Sequence, residues 1–128
     1  MQDIHQRADI ELLVDRFYKK IKQDDLLGGI FHSVIQGDWA PHLNKMYRFW
    51  ETVLLEARTY QGRPFAPHFH LPIEDLHFER WLALFEGTVD ELFAGEKAEE
   101  AKWRANRMAA MFRSKLRYHR GRSTTPLI

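Results

Sequence analysis

The chain has 128 residues, with 19 Lys and Arg against 18 Asp and Glu, a net charge of +1, and no cysteine. That length suits a single domain spanning 1–128, and the lack of thiols excludes disulfides, Cys-ligated zinc, iron–sulfur clusters and Cys nucleophiles. The balanced charge argues against nucleic acid or membrane partners, and with no apolar run of leader or membrane-spanning length a cytoplasmic location is expected.

The first predicted element is a helix over about residues 9–23. Ile10, Leu13, Val14, Phe17 and Ile21 recur at steps of three and four, with Tyr18 on the edge of that stripe. In "DDLLGGIF", Gly28 and Gly29 are expected to break the helix in a tight turn, and a short helical turn then carries Phe31. The clearest helix lies in "QGDWAPHLNKMYRFWETVLLEA". Asp38 is its expected N-cap, and Pro41 falls in the first turn, where proline is tolerated. Its inward face reads Trp39, His42, Leu43, Met46, Phe49, Trp50, Val53, Leu54 and Ala57, interrupted by one polar residue, His42.

The periodicity then fails. "TYQGRPFAPHFHLPI" holds Pro64, Pro67 and Pro72 along with Gly62 and reads as loop. A loop this long in a compact domain is commonly functional. Helical spacing returns over 74–93, where Phe78, Trp81, Leu82, Phe85, Val89, Leu92 and Phe93 share a face that Gly95 ends. A last helix is expected over about 98–119, with Ala101, Ala105, Met108, Met111, Phe112 and Leu116 inward. Residues 121–128 form a polar tail expected to be disordered. No strand pattern appears, so the class is all-α.

Several chemistries have no foothold. There is no H-E-x-x-H, no nucleophile elbow and no Gly-rich strand-to-helix loop. The basic run from Arg113 to Arg122 reads as a solvated helix end. His5, His32 and His119 read as surface residues, and His77 as a structural hydrogen-bonder. Two readings of the other histidines stay open. In one, His68, His70 and His77, helped by Glu74 or Asp75, hold zinc, which leaves His42 and the aromatics unexplained. In the other, the polar tips of Tyr18, His42 and Trp81 interrupt three apolar faces. Each is costly to bury without a partner, so together they suggest a cavity for a polar ligand, with His68 offered from the loop. The chain is 13% aromatic. One histidine ligand, an aromatic pocket and several donors are what haem needs to hold a diatomic gas.

The motifs in order are "FY" at Phe17-Tyr18, "LGGIF" ending at Phe31, and Trp39 three residues before His42. Then come "FW" at Phe49-Trp50, Tyr60, Gly62 and Pro64 ahead of His68, and "HFERWLALF" from His77 to Phe85. In this order and spacing the chain resembles the truncated haemoglobins, most closely their third group. The resemblance implies a shortened globin fold, a two-over-two helical sandwich around haem b (iron protoporphyrin IX). It implies His68 as the proximal iron ligand, with Tyr18, His42 and Trp81 on the distal side. Phe31 would pack flat against the porphyrin, Met46 and Phe49 would line the distal wall, and Lys45 would reach a propionate. His70 is a spare imidazole, and mutating it tests the register.

The expected function is binding of O2, NO, CO or peroxide, with detoxification of nitric oxide or reactive oxygen species. As a nitric oxide dioxygenase or peroxidase-like enzyme, the protein would use Tyr18 and Trp81 as catalytic groups and need a separate reductase. The alternatives are simple O2 binding, storage, transport or sensing and, from another class, a haem-free helical metal-binding or interaction domain. A monomer or weak homodimer is expected.

Overall fold

A computed structural model of the chain describes residues 1–56 and 73–124, with side chains through 118. Its helices are α1 (Arg7–Gln23), α2 (Gly28–Val34), α3 (Ala40–Leu55), α4 (Asp75–Leu92) and α5 (Glu96–Thr124). Among the described residues there is no strand. α1 packs on α2, α3 and α4, and α4 packs on α5. Two helix pairs, α1 with α3 and α4 with α5, are thus joined across the α1–α4 contact.

α1 buries the expected stripe together with Tyr18. It starts at Arg7, earlier than the periodicity indicates, because Asp9 accepts the amides of His5 and Gln6 at 2.9 and 3.2 Å. A carboxylate reaching back to amides before the first turn fixes a helix start ahead of its apolar residues.

The turn after α1 is built differently from the expectation. Asp24, not the glycine pair, makes it: Asp24 Oδ2 accepts from the amides of Leu26 and Leu27 at 3.0 and 2.9 Å. Gly28 and Gly29 open α2 instead. A Cβ on Gly28 would meet the Lys22 carbonyl oxygen at 3.0 Å, whereas Gly29 faces open space. Gly28 therefore permits close approach of two backbones. Arg80 of α4 holds the other oxygen of Asp24 at 2.7 Å. Burial works to raise the Asp24 pKa, but the amides of Leu27 and Leu26 and the Arg80 guanidinium outweigh it, and the net shift is downward.

α3 begins one residue later than a cap at Asp38 implies, with Trp39 at the N-cap. Asp38 still accepts from the Ala40 amide at 3.0 Å. Phe49, Trp50 and Leu54 are buried, while Trp39, His42, Leu43, Met46 and Val53 are half-buried. Ala57 lies outside the described residues. At the start of α4, His77 Nδ1 accepts from the Glu74 amide at 2.9 Å, so His77 is the structural hydrogen-bonder its sequence context indicates.

α5 runs beyond the expected span at both ends. Its buried residues are Ala98, Ala101, Ala105, Ala109, Phe112 and Leu116. Met111, expected to point inward, is 44% exposed. It stands one position off that stripe, and one helical residue is a rotation of about 100°. Arg113 and Arg117 of the basic run reach Asp75 at 3.1 and 2.6 Å.

The start of α5 is capped from the far end of the chain. Asp3 accepts the Lys97 and Ala98 amides at 2.9 and 2.8 Å, and the Gln2 carbonyl accepts from the Ala94 amide at 3.0 Å. Ile4 is 1% exposed beside this clamp. Gly95 makes the approach possible: its φ is +142°, and a Cβ there would sit 2.5 Å from Asp3 Cγ. A helix N-terminus presents unpaired amides, and a carboxylate satisfies them while favouring the dipole.

Candidate functional site

Phe17 and Tyr18 are adjacent on α1, so their rings leave the helix in different directions. Phe17 enters the core, edge-on to Phe85 at 5.2 Å. Tyr18 turns toward α2 and α3. Its ring lies 5.0 Å from His42, 5.9 Å from Phe31 and 6.4 Å from Trp39. Phe31 and Trp39 lie 22° from parallel, 6.5 Å apart. Trp81 of α4 reaches the group through Phe17, with ring centroids 5.5 Å apart and planes at 86°. α1, α2 and α3 thus supply one aromatic chamber, with Trp81 of α4 linked to it through Phe17.

Its rim is less buried than its floor. Phe31, Trp39, His42, Met46 and Trp81 are half-buried, while Phe17 and Phe85 are 2% and 0% exposed. Large apolar side chains left partly uncovered on neighbouring helices offer surface that a flat apolar group would cover. Lys22 places its ammonium 4.5 Å from the Trp39 ring centre, and His32 touches the same indole at 5.5 Å. Neither contact is legible in the sequence, because each depends on how α1 and α2 meet the start of α3.

Tyr18 is 6% exposed. Burial pushes its phenol well above the ordinary tyrosine range, so at neutral pH it is a hydrogen-bond donor and not a phenolate. Among the described residues no hydrogen bond engages its hydroxyl. His42 contacts Tyr18 and Trp39 through its ring, and its buried Nε2 is reached by no hydrogen bond among the described residues. Burying that ring nitrogen is unfavourable unless something polar completes it.

Of the residues singled out from sequence, the structure brings Tyr18, Phe31 and His42 into direct ring contact and joins Trp81 through Phe17. Met46 packs against the core beside them. Phe49 is buried edge-on to Trp50 at 5.4 Å, and Lys45 is exposed. His68 and His70 lie outside the described residues. His77 uses Nδ1 in the α4 cap, and among the described residues no cluster of three or more His, Asp or Glu could hold a metal ion. With an apolar floor, aromatic walls and a protonated phenol, these residues fit the distal face of a haem site.

Comparison with known proteins points the same way. Residues 2–114 match the family described as bacterial-like globin. The chain is 33% identical over 114 residues to the group 3 truncated hemoglobin of Campylobacter jejuni, a match covering 86% of this chain and 90% of that protein. Its fold superposes on the crystal structure of group III truncated hemoglobin from Campylobacter jejuni with a TM-score of 0.84 and 32% identity, covering 91% of this chain and 95% of the other.

Proposed function

The chain belongs to the bacterial-like globins, within them to the truncated haemoglobins of the third group, and from that membership we propose that it binds haem b through His68 and holds diatomic ligands beneath Tyr18, His42 and Trp81. The observation that carries this is the meeting of polar-tipped rings from α1 and α3, Tyr18 and His42, 5.0 Å apart, with Trp81 of α4 joined to them through Phe17.

Haem supplies an iron that takes up O2, NO, CO or peroxide. The protein supplies the rest. Tyr18 stays protonated and donates a hydrogen bond to the captured ligand. Trp81 offers a second donor and His42 a third. Such bonds strengthen in a dry pocket when the acceptor gains negative charge, so O2 is held firmly. Phe31 and Met46 would present apolar surface to the porphyrin face, Phe49 would back that wall, and Lys45 would reach a propionate.

Firm retention suits chemistry better than delivery. The finer reading is detoxification of nitric oxide or reactive oxygen species, with Tyr18 and Trp81 as catalytic groups. Joining O2 and nitric oxide to nitrate removes one electron from the protein per turnover, so a separate reductase is required. Mixing the oxygenated protein with nitric oxide should yield nitrate, and sustained turnover should depend on added reductant.

The decisive experiment is the visible spectrum of purified protein after haemin addition. A Soret band lost in His68→Ala and kept in His70→Ala is expected. The opposite pattern moves the ligand to His70, and a protein that takes up no haemin ends the reading.

A further inference from the structure

Trp81, Phe85 and Trp50 form a stack through the centre of the molecule. Trp81 and Phe85 lie 5.5 Å apart with planes 5° from parallel, and Phe85 and Trp50 lie 4.8 Å apart at 19°. Trp81, half-buried, is the end nearer the chamber, which it reaches through Phe17. Phe85 and Trp50 are 0% and 3% exposed. Tyr47 stands three residues before Trp50 on α3, about one helical turn away. Its hydroxyl donates a hydrogen bond to Asp15 of α1, and the Arg7 guanidinium lies 5.6 Å from its ring centre. Tyr47 is half-buried and Asp15 exposed.

Indole and phenol are the most easily oxidised uncharged side chains of a cysteine-free chain. A phenol loses an electron far more readily when its proton passes at the same moment to a hydrogen-bonded base. Tyr47 has such a base in Asp15. Tyr18 has none among the described residues. Burial and the bond to Asp15 push the Tyr47 pKa up to about 12, so its proton is in place throughout the neutral range. Core packing accounts for Phe85 and Trp50, but not for a carboxylate receiving the phenol at the outer end of the row.

We propose that Trp81, Phe85, Trp50 and Tyr47 form an electron relay linking the chamber to the surface, with Asp15 as the proton acceptor at its outer end. The inference rests on haem occupying the chamber, and the oxidant is hydrogen peroxide, which takes two electrons and two protons and leaves as two waters. Each electron departs from Trp81. Trp50 refills Trp81 across Phe85, and Tyr47 refills Trp50. The Tyr47 O–H bond breaks as the electron goes to Trp50 and the proton to Asp15, leaving a neutral phenoxyl radical beside a carboxylic acid. A small phenolic or enediol reductant at the surface returns a hydrogen atom to Tyr47, and Asp15 releases its proton to solvent. Two such cycles balance one peroxide.

The test mixes haem-loaded protein with hydrogen peroxide, freezes it for electron paramagnetic resonance, and maps the site of a nitroso spin-trap adduct by peptide mass spectrometry. A tyrosyl signal with the adduct on Tyr47 is expected. It should be lost in Tyr47→Phe, fall several-fold in Asp15→Asn and Trp50→Phe, and persist in Tyr118→Phe. Should Trp50→Phe not fold, the two surface variants decide. An adduct confined to Tyr18 or Trp81, or a Tyr47 adduct undiminished in Asp15→Asn, overturns the relay. A Soret band in each variant shows that the haem premise stands, so a lost relay and a lost haem site give different results.

Discussion

The clamp at the start of α5 and the chamber between α1, α3 and α4 handle polar groups in opposite ways. At the clamp, the carboxylate of Asp3 meets the amides of Lys97 and Ala98, and Gln2 meets Ala94. In the chamber the rings of Tyr18, His42 and Phe31 gather with the Tyr18 hydroxyl engaged by no described residue. The first arrangement is complete without a ligand and serves stability. The second holds the buried His42 Nε2, which no hydrogen bond among the described residues reaches and which something polar would complete.

The largest effect expected on either side is at Gly95. Gly95→Val forces a side chain into the left-handed region and into Asp3, and should destabilise the fold by about 3 kcal/mol. Urea unfolding checks this, and an unchanged midpoint would remove the clamp's importance. Adding Asp3→Ala should recover the part caused by the clash and leave the backbone strain.

On the chamber side, Tyr18→Phe should leave folding nearly intact and speed O2 release. Losing a hydrogen bond to a ligand carrying negative charge costs roughly 1.5–3 kcal/mol, about 10- to 100-fold in the off-rate. Stopped-flow displacement of O2 measures it, and an unchanged rate would make Tyr18 a packing residue only.

Asp3→Ala alone should cost about 1–2 kcal/mol, as for loss of an N-cap. Its pH dependence has a defined sign. Burial works to raise the Asp3 pKa, but the amides of Lys97, Ile4 and Ala98, with His5, outweigh it, so the folded value is lowered. The stabilisation is therefore complete above the unfolded pKa of about 3.9 and is lost as pH falls through the lower folded value. Acid titration of wild type and Asp3→Ala should converge there, and curves that stay parallel would exclude Asp3 as the titrating group.

The smallest effect contrasts the two adjacent glycines of α2. Gly28→Ala presses on a backbone carbonyl and should cost about 1 kcal/mol. Gly29→Ala meets open space and should be neutral or gain about 0.5 kcal/mol from helix propensity. Equal thermal shifts would mean that α2 does not pack on the end of α1 as described.

Much of the chamber was legible in residue order. Tyr18 beside Phe17, His42 on the apolar face of α3 and Trp81 on α4 each mark a polar tip inside a helical stripe, and helical periodicity is a local property that a chain carries wherever it folds. The Asp24 turn, the place of Gly28 inside α2 and the outward turn of Met111 were less legible. Each depends on a rotation or a contact that a stripe of apolar letters leaves open by one residue.

By itself the sequence determined the all-α class, the helices and most of their buried faces, because spacing of three and four residues gathers apolar side chains on one side of a helix. Tertiary structure alone decided the long-range matters. It brought Asp3 to Lys97 and Ala98, Lys22 to Trp39, and Asp15 to Tyr47, and it stacked Trp50 on Phe85. The physical reason is that these contacts join groups far apart in the chain. Their geometry is set by how helices cross, which no local pattern of residues encodes.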